Sequence, residues 1–116
     1  MLGNNGAVAL DLPVVRSMEM KLINMTSKIC VFTDYFKFRA ELRGFDLVIT
    51  ENIIRYSQER YFDIETLRVI AVGEHGNRLV MIPYEESDTE ITPVTIHATT
   101  RQQIKFRLNT GRFTYE

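Results

Sequence analysis

His97 is the residue of this chain best suited to move a proton near neutral pH, because an unperturbed imidazole titrates at ~6.5. It ends the β-branched run Val94-Thr95-Ile96, and Arg101, Lys105, Arg107 and Arg112 crowd the sixteen residues that follow Thr100, opposed there only by Glu116. That pairing suits RNA chemistry. An imidazole can exchange a proton with a ribose 2′-hydroxyl or a leaving 5′-oxygen, while guanidinium forks match phosphate oxygens. On a helix, Arg101 and Lys105 share one face. Lys37, Arg39 and Arg43 form a second basic group, but ~100° steps allow at most two of them to serve one site. Tyr115 and Phe113 can stack on bases. Each feature has a plainer reading. The basic helix face serves solubility, His97 hydrogen-bonds a helix N-terminus, and Phe113 packs back on the sheet. His75 falls in a hairpin turn and is given no role.

Other chemistries are disfavoured. One cysteine, Cys30, and two histidines do not assemble a zinc site of standard type, and no metal or cofactor is expected. Cys30 sits in the apolar run Ile29-Cys30-Val31-Phe32, where a packing thiol is the ordinary reading. P-loop, Rossmann, nucleophile-elbow and paired-carboxylate patterns are missing from the sequence. A net charge of −1 argues against a uniformly basic coat and leaves room for a local basic patch. No apolar stretch approaches the ~20 residues of a membrane span, so no membrane partner is expected. A lone cysteine suits a reducing, cytoplasmic setting.

At 116 residues the chain is expected to hold one domain. Its core is modest, so a partner covering exposed surface, a second copy included, would matter for stability. Residues 1–26 read as a leader or flexible arm, a poor signal peptide, dispensable for the core fold. Residues 27–116 read as a single α+β domain. Lys28–Phe32 is expected as a first strand. Thr33-Asp34 caps a helix with Tyr35, Phe38 and Leu42 on one face, and Gly44 ends it. Asp46 caps a second helix, with Ile49, Ile53 and Tyr56 at helical spacing. Strands follow at 67–73, 78–84 and 91–97, with Glu74–Asn77 as a hairpin turn and Tyr61-Phe62 as an added edge. Leu79–Tyr84 is apolar on both faces, as a central strand covered on both sides would be. Thr99 and Gln102 have capping-box spacing for a last helix that stops at Gly111. The expected fold is a mostly antiparallel sheet of three to five strands, with two N-terminal helices and one C-terminal helix.

Three stretches carry a family resemblance: Val69-Ile70-Ala71-Val72-Gly73, Arg78-Leu79-Val80-Met81-Ile82-Pro83-Tyr84-Glu85, and Val94-Thr95-Ile96-His97-Ala98-Thr99-Thr100-Arg101. Together with Arg43-Gly44-Phe45-Asp46 before a helix, they resemble the BrnT-type toxins over roughly residues 28–116. The resemblance implies a RelE-like fold, a metal-independent endoribonuclease activity that arrests translation, and neutralisation by a small antitoxin encoded beside it. It implies catalytic roles for Arg101, Arg112 and Tyr115, beside the His97 chosen on its own chemistry, and the two basic groups supply Lys37, Arg39, Lys105 and Arg107 as the expected RNA-binding residues. The family strand typically ends Ile-Ser-Ala-Arg, whereas here it runs Ile96-His97-Ala98 and the next arginine is delayed to Arg101. The rival reading is a non-catalytic protein- or RNA-binding relative of such toxins.

Overall fold

Alternation along the longest strand fixes the layers. The computed structural model describes residues 27–116, so the expectations for residues 1–26 lie outside the described residues. Three short helices are α1 (Asp34–Leu42), α2 (Leu47–Tyr56) and α3 (Arg101–Asn109). The strands are β1 (Ile29–Cys30), β2 (Glu59–Asp63), β3 (Arg68–His75), β4 (Arg78–Glu86), β5 (Glu90–Pro93), β6 (His97–Ala98) and β7 (Phe113–Tyr115). In β4, Val80, Ile82 and Tyr84 turn to one side, against Phe36 and Ala40 of α1 and Ile53 and Ile54 of α2. Met81 turns to the other, with Ile70, Val72, Tyr61, Phe113 and Ile104 of α3. The sheet is therefore covered on both faces, by α1 and α2 on one and α3 on the other.

The strand order is β1-β5-β4-β3-β2-β7, with β6 also paired to β4, giving seven strands. β1 runs parallel to β5, and the other pairs are antiparallel. The sheet is thus mixed and wider than the expected three to five strands. The additions are short pieces, β6 of two residues and β7 of three, while the expected first strand is confined to the two residues of β1. The expected 91–97 strand is split. The Val94 N–H still donates to the Pro83 carbonyl at 2.8 Å, but Pro83 of β4 has no N–H to return, so the ladder lapses there. Pairing resumes at His97 opposite Met81.

Caps fall close to where residue chemistry puts them. Thr33 and Asp46 accept from the N–H groups of Phe36 and Ile49 at 3.1 and 2.9 Å. For α3 the cap moves one residue on: Thr100 accepts from the N–H of Gln103 at 3.1 Å, and Thr99 donates to the Gln103 side chain at 3.0 Å. Gly76 turns the β3–β4 hairpin at φ 65°, in the left-handed region that glycine enters without strain. One helix is rotated from its expected setting. α1 buries Phe36 and Ala40, while Tyr35, Phe38 and Leu42 are 62–69% exposed. Likewise α2 buries Thr50, Ile53 and Ile54, leaving Ile49 and Tyr56 partly in water.

Candidate functional site

β6 lies along the same edge of β4 as β5 does. His97 stands directly across from Met81, so its side chain points toward the α3 side, and the next residue, Ala98, opposes Val80 on the other. Ile96 is fully buried among α1 and the sheet, whereas His97 is exposed. The edge sits where the two helical layers meet, and each layer sends cations to it.

Arg43, the C-cap residue of α1, comes from one side. Its Nη1 donates to the Ile96 carbonyl at 2.7 Å, reaches Thr95 Oγ1 at 3.5 Å, and lies 3.3 Å from His97 Nδ1. A guanidinium only donates, so Nδ1 accepts in this contact and the neutral imidazole carries its proton on Nε2. Arg107 comes from the other side, on α3. Its Nη1 is 3.7 Å from Met81 Sδ and its guanidinium lies 5.3 Å above the Phe113 ring. Arg39, one turn before Arg43, is the third. It reaches the Tyr35 hydroxyl at 3.3 Å, and its buried Nε has no partner among the described residues.

His97 registers all of them. Partial burial pushes its pKa below the ordinary value, and the charges of Arg43, Arg107 and Arg39, in that order, push it further the same way. No carboxylate among the described residues contributes to that shift. His97 is therefore neutral at pH 7, in contact with Arg43 and in the field of Arg107 and Arg39. A positive field of this kind attracts an anion.

Arg43 does not hold this position alone. Gly44, at φ 76°, turns the chain after α1. Arg78 of β4 donates to the carbonyls of Arg43 and Gly44 at 3.2 and 2.8 Å and stacks 4.1 Å from the Phe45 ring centre. His75, given no role from sequence, accepts from the Asp46 N–H through Nε2 at 2.8 Å and is buried against Phe45. The β3–β4 hairpin thus clamps the 43–46 loop that aims Arg43. Arg43 was legible only as a member of a basic helix. The signal for its position is the Arg43-Gly44 helix end.

The other candidate residues separate from His97. Arg101, expected beside it, pairs with Glu59 of β2 at 2.6 Å and does not bear on the His97 ring. Arg112 forks onto Asp63 of β2 through Nε and Nη2, both at 3.0 Å, and also reaches Glu65 at 3.4 Å. The Asp63 carboxyl is buried, which alone would raise its pKa. Hydrogen bonds from Arg112, the Glu65 N–H and Thr66, plus the Arg112 charge, instead hold it down at about 2. Tyr115, 78% exposed, sits in β7 with its ring 5.6 Å from that of Tyr61. On α1 and α3, Lys37 and Lys105 are exposed and two positions from Arg39 and Arg107, roughly 200° around each helix. Of the eight candidates, the structure gathers His97, Arg39 and Arg107 and adds Arg43.

Arg107 also lines an open depression of about 990 Å³ beside α3, with Gln102, Gln103 and the exposed ring of Phe106. Among the described residues, no group of His, Cys, Asp and Glu is placed to hold a metal, and no helix is long and apolar enough to cross a membrane. Compared with protein-family models, curated proteins and solved structures, the chain matches none.

Proposed function

We propose that this chain acts on RNA, binding a phosphodiester at the His97 edge, and that it is an endoribonuclease toxin working without a metal and restrained in the cytoplasm by a small antitoxin. The observation that carries the RNA part is an exposed, neutral His97 held against Arg43 and lying in the field of Arg107 and Arg39. An open edge suits a polymer better than an enclosed metabolite, and the depression beside α3, which shares Arg107 with it, offers the Phe106 ring for stacking. The toxin part rests on the resemblance of residues 28–116 to the BrnT type.

The geometry suggests an order of events. His97 presents Nε2–H as a donor to a phosphate oxygen. Its Nδ1 lone pair, which would take the 2′-hydroxyl proton, faces Arg43. An arriving phosphate competes for Arg43 as a stronger, charged acceptor and frees Nδ1 to act as base. The 2′-oxygen attacks phosphorus as Nδ1 takes its proton, and the guanidiniums stabilise charge on the pentavalent phosphorus oxygens. The P–O5′ bond then breaks to leave a 2′,3′-cyclic phosphate, while the imidazolium gives its Nε2 proton to the departing 5′-oxygen.

A second reading, an RNA-binding module without catalysis, is favoured by one observation: Arg101 and Arg112 are committed to carboxylates and leave His97 as the lone proton-transfer group of the cluster. One experiment separates the two. Anisotropy of a labelled single-stranded RNA is measured against salt, with cleavage followed in the same samples. Arg43→Gln and Arg107→Gln should each weaken binding and lower the log–log salt slope by about 0.7 per lost phosphate contact. His97→Ala should abolish cleavage at least ~100-fold if the chain is a nuclease. Binding without cleavage by the unaltered protein assigns the module. No binding at low salt rejects both.

A further inference from the structure

The α1 helix has two apolar stripes, and the described fold uses one. Phe36 and Ala40 enter the core, whereas Tyr35, Phe38 and Leu42, spaced i, i+3 and i+7, are 62, 62 and 69% exposed. Tyr35 and Phe38 alone leave on the order of 250 Å² of aromatic surface in water, if each side chain offers roughly 200 Å². With Leu42 added, the exposed apolar area on this helix face reaches the roughly 300–600 Å² of a typical monomer's largest patch, which is often functional.

The sequence supplies an occupant. Between Val8 and Met25, ten of eighteen residues are Val, Leu, Ile or Met, and the charges Asp11, Arg16, Glu19 and Lys21 cancel. This segment joins the described fold at Ser27, seven residues before α1 begins at Asp34. Reach must come from the segment itself, because residues 29–31 are held beside β5, and eighteen extended residues span roughly 60 Å. Covalent attachment at Ser27 also gives the segment a local concentration near the millimolar range, ahead of any free partner.

We propose that residues 8–25 dock on the Tyr35–Phe38–Leu42 face of α1 in the same molecule. The face is then an intramolecular interaction surface, lying one helical turn from Arg39. The proposal does not depend on the RNA reading.

Trypsin cuts after Arg16 and Lys21, both inside the segment, so the full-length chain reports docking directly. Those two cuts should be slow in the unaltered protein. Phe38→Glu with Leu42→Glu should speed them roughly tenfold or more, as cleavage follows the open population. Leu10→Glu with Val14→Glu must have the same effect, and this leader variant keeps the test intact if the α1 variant does not fold. Equally fast cleavage in all three proteins would overturn the proposal. So would protection that disappears on dilution, which would assign the cover to a second copy.

Discussion

Replacing Arg112 by alanine separates a structural from a catalytic role for a residue that family likeness places in the active site. Its guanidinium spans both oxygens of Asp63, a residue 2% exposed, and ties the turn before β7 to the end of β2. Holding the Asp63 carboxyl at about 2 rather than 3.8 corresponds to about 2 kcal/mol of folding stability. The Glu65 N–H and Thr66 supply part of that and survive the substitution. The carboxylate, however, is left buried with its main partner gone, which carries its own cost. We therefore expect Arg112→Ala to lose about 2 kcal/mol at pH 7, a fall in Tm on the order of 10 °C for a domain of this size. The sign with pH follows from the depressed folded-state value. The contribution is present above the unfolded value near 3.8 and is lost as pH falls through about 2. Urea unfolding should show the unaltered protein declining steeply between pH 4 and 2, the variant declining less, and the two converging at the acid end. RNA affinity at low salt should not change. An unchanged Tm combined with lost RNA affinity would refute this reasoning and return Arg112 to the site.

Three further outcomes follow from the same coordinates. A Cβ at Gly73 would lie 2.8 Å from Ile53 Cγ2, so Gly73→Ala should destabilise by about 1–3 kcal/mol in chemical denaturation, and its cost should shrink when made in Ile53→Ala, which removes both Cγ atoms. RNA affinity should rise as pH falls through the His97 titration, because a bound phosphate favours imidazolium. The rise should continue below the pH at which an ordinary histidine is half protonated, since the lowered value of the free protein sets where it levels off, and should be absent in His97→Gln, as read by anisotropy from pH 8 to 5. The Cys30 thiol is pushed up to about 11, first by burial and then by Glu51 against a smaller opposing pull from Arg55. Only about one molecule in a thousand is thiolate at pH 8, so alkylation should run roughly 100-fold slower than for free cysteine until the chain is unfolded.

What the sequence discloses here is local, and what it conceals is pairing over distance. Thr33, Asp46, Gly44 and Gly111 punctuate the helices because a cap or a left-handed residue acts within four positions of itself. The double-sided burial of Leu79–Tyr84 is legible for the same reason. The orientation of α1 is not, because that helix offers two apolar stripes and period alone does not say which one meets the sheet. The site shows the limit more sharply. Arg101 and Arg112 look like free cations because the carboxylates that claim them, Glu59 and Asp63, lie 42 and 49 residues earlier on β2. Arg43 and His97, 54 residues apart, look unrelated until the β3–β4 hairpin, through Arg78 and His75, fixes the loop that carries one to the other. Basic clusters in a sequence therefore overstate the cations available to a ligand. An arginine whose carboxylate partner the fold has already supplied is removed from the count, and here that leaves Arg43 against His97, Arg39 and Arg107 acting on it through their charge, and the exposed Lys37 and Lys105.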